Sequence, residues 1–555
     1  MRSGIQEKEE EKEEGKEKEK GSVVGMHRRV ERRRVLFEEK LILVMVGLPA
    51  RGKSYIAKKV VSHLSWLGLR ARLFNVGNLR RKVLQGSSQT SDFFSAENRE
   101  GRATREQLAM VALDSLLHWL VGGEVDGEKE DECQQKSASS SPSSAAAGGG
   151  EERGRGGDVA VFDATNTTDE RRRAVLQHCM EYFGAKGLAA PNVIFLECIC
   201  DDEKVLRSNL KQKIRNSPDY QNMPYEQALH DLQQRIQNYQ LVYRSISDDA
   251  LSYIKLINLQ SKVICNKIFG NRALSIATFL MSIHIGKRPI WLTRSAHTAS
   301  VADMNKSLTP MLHDQLNHSS TDQNEEKATE TGEKKGKAKM KTHPSLRQRN
   351  MSDVRLPWFE GREQADATTL KELSSLRLPS KQTMGDSLSE QGRSYAKKLA
   401  EFIQSKCSAE TLTVHTSTLP RAVETAQYIP VPTNQWSALN MLDAGVCNDM
   451  SLANIKEQMP DFWESWMNNP AGVRFPGGES YFDVVRRLDT LVYDLERQVN
   501  PVLVVSHLST LQVLYSYFVD CPVEKCPQLS IPRHTVIQLT PFQYGWKEER
   551  FDLGP

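Results

Sequence analysis

The sequence predicts two α/β domains in tandem, each built from short buried strands alternating with helices. Three observations predict it. The apolar run Leu41 to Val46 leads into a glycine-bracketed loop and then a helix-forming stretch. Short apolar runs alternate with longer helical segments from Lys40 to about Gly286, and the alternation restarts near Arg288. At 555 residues, the chain is also too long for one ordinary domain.

The first strand and its loop set the chemistry. Six unbroken apolar residues suit a strand buried on both faces. The loop Gly47-Leu48-Pro49-Ala50-Arg51-Gly52-Lys53-Ser54 fits the phosphate-cradling pattern, with Tyr55 opening the helix that runs to Leu67. Its glycines let the backbone fold tightly enough to aim several N–H groups at one phosphate chain. Lys53 adds a point charge for the β- and γ-phosphates, and the Ser54 hydroxyl can ligate Mg²⁺. The helix N-terminus favours the same anion.

Next come a strand running into a turn over Arg70 to Gly77, a helix over Arg105 to Leu120 and a strand over Asp158 to Asp163. A helix over Glu170 to Phe183 and a strand over Val193 to Cys200 follow, then helices from Glu203 and Pro224 and the run Tyr253 to Leu259. This order predicts a parallel sheet with helices on both faces. In the second domain, strands are expected at Pro289 to Arg294, Leu412 to Ser417 and Val502 to His507. Helices are expected at Gln391 to Gln404, Arg421 to Tyr428, Tyr481 to Gln498 and Leu508 to Phe518.

The domains are thus read as 40–286 and 287–555, after a charged, disordered tail over 1–39. Low-complexity and polar insertions are expected at about 124–157 and 309–387. Lys plus Arg total 74 against 70 Asp plus Glu, so no overall field favours nucleic acid or a membrane surface. No stretch has the length of a membrane span. Nine dispersed cysteines suggest reduced thiols in a cytoplasmic setting.

Asp163 closes a buried-type strand. A carboxylate there, beside a phosphate loop, can hold Mg²⁺ or orient an attacking hydroxyl. The bland alternative is an Asp that caps the following helix. Taken singly, Arg80, Arg105, Arg171 and Arg235 read as surface charges.

Taken together, GLPARGKSY, FNVGNLRRK, VFDATNTTDERR, NLKQKIRNSPDY and RIQNY resemble the kinase half of the 6-phosphofructo-2-kinase/fructose-2,6-bisphosphatase family. Residues 288–543 are similar to its other half, a histidine-phosphatase-like (phosphoglycerate mutase-like) α/β domain. The likeness covers about 40–120, 158–308 and 385–545.

The resemblance implies ATP binding by Gly47 to Tyr55 with Asn209. It places fructose 6-phosphate against Arg80, Arg105, Thr165, Arg171, Arg235 and Tyr239; a sugar phosphate dianion requires several arginines. It makes Asp163 the catalytic aspartate, with Lys53 and Lys213 balancing charge and Ser54 and Asp163 at the metal. Cys200 matches a cysteine of the family site, although a small apolar strand residue would look the same. The product would be fructose 2,6-bisphosphate, a regulator of glycolysis. Family members commonly dimerise through their kinase domains, so a homodimer is a further expectation.

The second half departs from its family. The nucleophilic histidine of the Arg-His-Gly motif is replaced in Arg294-Ser295-Ala296, and the acid/base glutamate falls at Met441, which cannot carry a proton. Arg294, Arg421, Glu479 and His507 of the phosphatase site survive. His297, two residues past Ser295, is a poor substitute because a strand end points it elsewhere. Losing nucleophile and proton donor together should abolish turnover. The rival readings are an enzyme that keeps both activities through a residue such as His507, a non-catalytic sensor, and a kinase for another hydroxyl substrate. The last would gain if Arg80, Arg105 and Arg235 did not converge.

Overall fold

The computed structural model describes residues 39–84, 91–95, 97–123, 156–258, 262–284, 286, 288–298, 387–542 and 545–554. The charged tail, most of the low-complexity segment and nearly all of the polar stretch lie outside the described residues. The chain forms two compact units, with the break between Ile283 and His284.

In the first unit the strands are β1 (Leu41–Val46), β2 (Ala71–Asn75), β3 (Val159–Asp163), β4 (Asn192–Ile199), β5 (Tyr253–Ile257) and β6 (Lys262–Asn266). They form one sheet in the order β2-β3-β1-β4-β5-β6. Every residue of β1 and β3 is buried, as the unbroken apolar runs require. Each fully buried aliphatic side chain stabilises the fold by roughly 1.5–3 kcal/mol. The pairs from β2 through β5 are parallel, and β5 with β6 is antiparallel. The sheet is therefore mixed at one edge rather than wholly parallel. The sequence KVICN of β6 is too short to show a period, as is common for edge strands.

The helices of this unit are α1 (Lys53–Trp66), α2 (Val76–Val83), α3 (Arg99–Leu120), α4 (Asp169–Ala185), α5 (Glu203–Asn216), α6 (Tyr225–Val242) and α7 (Asn271–Ser282). Two boundaries differ instructively from expectation. The strand expected to run into a turn by Gly77 ends at Asn75, and in place of a turn the Asn75 side chain accepts the Asn78 N–H and starts α2. Asn98 caps α3, which begins at Arg99, six residues before the expected start at Arg105.

In the second unit the strands are β7 (Ile290–Arg294), β8 (Thr413–Ser417), β9 (Thr433–Trp436), β10 (Val502–Ser506), β11 (Thr535–Phe542) and β12 (Gly545–Asp552). Their order is β12-β11-β7-β10-β8-β9. β7, β10, β8 and β9 run parallel, while β11 is antiparallel to β7 and to β12. The helices are α8 (Glu390–Lys406), α9 (Pro420–Ala426), α10 (Leu452–Gln458), α11 (Pro460–Asn468), α12 (Tyr481–Arg497) and α13 (Leu508–Phe518). A reciprocal cap between Ser480 and Asp483 opens α12, which buries Val484, Val485, Leu488, Leu491, Val492 and Leu495. The outer strands β9, β11 and β12 and the helices α10 and α11 were not expected from the sequence. β12 in particular is charged and exposed along much of its length.

Candidate functional site

The loop between β1 and α1 is held from both sides. Gly47 has φ +134°, and a Cβ there would lie 2.6 Å from the Cys198 carbonyl oxygen on β4. Its N–H donates to the Thr165 carbonyl at 2.9 Å, which ties the loop to the segment after β3. Within the loop, Lys53 Nζ donates to the Leu48 carbonyl at 2.7 Å and Arg51 to the Pro49 carbonyl at 3.4 Å. Asn209, on α5, donates its amide to the Ala50 carbonyl at 3.2 Å. Ser54 and Tyr55 follow Lys53 in the first turn of α1, both half-buried.

Asp163 is buried at the end of β3 and accepts the Asn75 amide at 2.5 Å. It does not cap α4. Thr168 does that, accepting the Arg171 N–H at 3.2 Å. Desolvation pushes Lys53 down to about 8, against the opposing attraction of Asp163. Lys213 lies one turn beyond Asn209 on the same face of α5. It is pushed down to about 7, first by desolvation and then by the charges of Arg235 and Lys53. Cys200 is buried just beyond β4, and burial raises its thiol, so it is neutral at physiological pH. Its neighbour Cys198, nearer Lys53 and Asp163, is raised to about 12 by burial.

The arginines converge. The guanidiniums of Arg235, Arg80 and Arg105 lie 3.6, 5.0 and 5.8 Å from the centre of one ring, Phe94. Tyr239, one turn along α6 from Arg235, has its ring 6.1 Å from the same centre. Asp219 bonds Arg80 at 2.6 Å and Arg235 at 3.4 Å. Burial tends to raise this carboxyl, but Arg80 and Arg235 outweigh it and leave it below the ordinary range. Nε of Arg80, Nε of Arg235 and Nη2 of Arg171 are buried and have no hydrogen-bond partner. Burial lowers the proton affinity of Arg171, with Glu106 opposing. Buried guanidinium N–H groups left unmatched are costly, and an anion is the ligand that satisfies them.

Sequence reasoning missed Phe94, Asp219 and Asn75. Phe94 follows a polar run with no periodicity. Asp219 lies inside a quoted motif, but nothing local ties it to arginines 16 and 139 residues away.

In the second unit, Arg294 and Ser295 stand at the end of β7 and His507 at the end of β10, a neighbouring strand. Ser295 Oγ lies 3.4 Å from His507 Nδ1, and Arg421 Nε donates to the same nitrogen at 3.3 Å. A guanidinium can only donate, so Nδ1 accepts and Nε2 carries the proton, donating to Ser417 Oγ at 2.7 Å. Desolvation, then Arg421 and Arg294, hold His507 well below its ordinary value. Arg294 is itself pushed down to about 9 by burial and by Arg533 and Arg421. Arg421 also donates to the Met441 sulfur at 3.0 Å. Glu479 is taken up by Arg487 at 3.0 Å and by the Asp443 N–H at 3.1 Å. His297 points to Arg533, 2.8 Å away, and is pushed down to about 4 by burial.

A family model described as 6-phosphofructo-2-kinase matches residues 31–126 and 153–287, and one for the histidine phosphatase superfamily (branch 1) matches 379–553. A 6-phosphofructo-2-kinase/fructose-2,6-bisphosphatase of Gallus gallus is 32% identical over 516 residues, covering 92% of this chain and 85% of that protein. A fructose-2,6-bisphosphatase of Saccharomyces cerevisiae is 32% identical over 512 residues, covering 92% and 87%. The Arabidopsis thaliana protein, 31% identical over 520 residues, is longer, and the match spans 54% of it and 92% of this chain. With both halves matched in this order, the chain belongs to the 6-phosphofructo-2-kinase/fructose-2,6-bisphosphatase family.

Proposed function

We propose that this protein is an ATP- and Mg²⁺-dependent 6-phosphofructo-2-kinase that makes fructose 2,6-bisphosphate from fructose 6-phosphate, with a second domain that does not hydrolyse the product. One observation carries the kinase reading: Lys213 lies in the field of both Lys53 and Arg235. That supports reading the phosphate loop and the arginine array as parts of one site, as transfer between two phosphorylated substrates requires.

Gly47 to Tyr55 and Asn209 would hold the nucleotide, and Arg80, Arg105, Thr165, Arg171, Arg235 and Tyr239 the sugar phosphate. The 2-hydroxyl would attack the γ-phosphorus in line, with Lys53 and Lys213 matching the developing negative charge. Asp163, fixed by Asn75, would orient the attacking hydroxyl. Cys200 has a neutral, buried thiol and serves this site as packing. The hard oxygens of Ser54 and Asp163 suit Mg²⁺, which keeps several waters and takes phosphate oxygens rather than filling a protein cage. Bound there, Mg²⁺ would neutralise phosphate charge.

The reading of a silent second domain rests on Ser295 and Met441, which stand where chemistry needs a nucleophile and an acid. The described cysteines are free thiols, and no described helix is long and apolar enough to cross a membrane. A cytoplasmic enzyme is part of the proposal, as is a homodimer by analogy with the family.

The test is incubation of the full chain with ATP, Mg²⁺ and fructose 6-phosphate while fructose 2,6-bisphosphate is followed. Steady accumulation without decay, lost in Lys53→Ala, is the expected result. A plateau with continuing ATP hydrolysis would instead mean two opposed activities, and no product would favour a sensor or another substrate.

A further inference from the structure

Three guanidiniums crowd one small volume, and a single carboxylate bonds two of them. Arg80 and Arg235 share Asp219, which also lies 3.7 Å from Arg81. Among the described residues Arg105 forms no ion pair with a carboxylate; its Nη1 donates to the Phe93 carbonyl at 2.6 Å. Burial lowers the proton affinity of both Arg80 and Arg105, and the charge of Arg235 lowers both further, so Arg235 repels the other two. The contact that all three share is the Phe94 ring, buried to 4% exposure; Arg105 lies equally far, 5.8 Å, from the Phe93 ring.

We propose that Phe94 is the positioning residue of the sugar phosphate site, its ring gathering Arg80, Arg105 and Arg235 into one array that receives a phosphate dianion. The proposal rests on the kinase reading above for the identity of the sugar. The negative face of an aromatic ring attracts a guanidinium without consuming its N–H groups. A second carboxylate in the same place would attract the arginines equally well, but it would cancel the charge that the ligand must find. An aliphatic side chain would fill the space and leave the arginines to spread. Phe94 lies in the short helix Ser91–Phe94, which packs on α6, the helix that carries Arg235 and Tyr239.

The experiment compares Phe94→Leu with Phe94→Tyr in the full chain. The leucine keeps an apolar side chain but has no ring face; the tyrosine keeps the ring. Two or three weakened cation–π contacts should raise the KM for fructose 6-phosphate by roughly 10- to 100-fold in the leucine variant. Its kcat and its KM for ATP should stay within about threefold of wild type. The tyrosine should recover most of the lost affinity. Equal losses in both variants, an unchanged KM in the leucine variant, or a parallel loss of kcat and ATP affinity would overturn the proposal. Should the wild type make no product from fructose 6-phosphate, binding of inorganic phosphate by calorimetry takes over as the readout. Tighter binding by wild type and Phe94→Tyr than by Phe94→Leu then supports the array, and equal binding by all three overturns it.

Discussion

The Ser295 hydroxyl, just past the end of β7, faces Nδ1 of His507 across 3.4 Å. Nδ1 is an acceptor, because Arg421 donates to it, so the histidine is neutral and oriented. On the proposal of a silent second domain, a group to protonate the leaving oxygen is missing as well as a nucleophile, since Met441 presents only a thioether to Arg421. Restoring the nucleophile alone should therefore fail. We expect no phosphate release from fructose 2,6-bisphosphate by wild type or Ser295→His, and measurable release once Met441→Glu is added, because a positioned general acid contributes roughly 10²–10⁴-fold. Arg421 beside the introduced carboxyl would hold it ionised, so release should rise as pH falls through the carboxylate range. Equal activity in the single and double variants would show that Met441 is not the missing acid.

Proton uptake on nucleotide binding is a second expectation. Lys53 and Lys213 stand at about 8 and about 7 in the free protein, below their ordinary 10.5. Polyphosphate beside them favours the charged form and returns both upward. Above pH 8 the free lysines are largely neutral and the bound ones charged, so binding takes up protons and weakens as pH rises further. Below about pH 6 both are charged already and uptake vanishes. Calorimetry with a non-hydrolysable ATP analogue at pH 8.5, in two buffers of different ionisation enthalpy, should show on the order of one proton taken up. Lys213→Met should reduce that number, and zero uptake in wild type would refute the argument.

Much of this was legible in the sequence because the informative signals are local. Leu41 to Ser54 carries a buried strand, a tight loop and a helix start in one continuous stretch, and the structure keeps all three. Ser295 and Met441 stood out in the sequence as departures from the family pattern, and the proposal of a silent second domain rests on them. The edge strands stayed hidden because half-exposed, charged segments such as Gly545–Asp552 have little apolar pattern to read. The arginines were named by the resemblance, but what lies between them stayed hidden for another reason. Arg80, Arg105 and Arg235 sit on three different helices, and only tertiary packing brings Phe94 and Asp219 between them. Charge convergence is a property of the fold.

Asn75 has two duties that can be separated. Its Oδ1 caps α2 and its amide hydrogen goes to Asp163. Serine caps nearly as well, but its shorter side chain should not serve both partners. Asn75→Ser should therefore keep the melting temperature while kcat falls by roughly 10-fold, the cost of one misplaced orienting bond of about 1.4 kcal/mol. Asn75→Ala should lose the cap as well, about 1 kcal/mol of stability. A serine variant with wild-type kcat would mean that Asp163 holds its place without this contact.

The two loop glycines should differ in how badly alanine harms them. Both have positive φ, +134° at Gly47 and +83° at Gly52, so any side chain adds backbone strain. At Gly52 a Cβ would meet nothing within 4 Å, and the cost stops at roughly 1–2 kcal/mol of local strain. At Gly47 the Cβ would also be driven to 2.6 Å from the Cys198 carbonyl oxygen, on a strand buried in the middle of the sheet. Neither partner is the free end of a flexible side chain, so the loop must move. The Gly47 N–H bond to Thr165 would be lost with it, and that bond joins the nucleotide loop to the Asp163 segment. Gly47→Ala should thus abolish measurable nucleotide binding, while Gly52→Ala weakens it about 10-fold. Equilibrium titration of the two variants with the ATP analogue decides, and the reverse order would mean that strain at Gly52, not contact at Gly47, limits the loop.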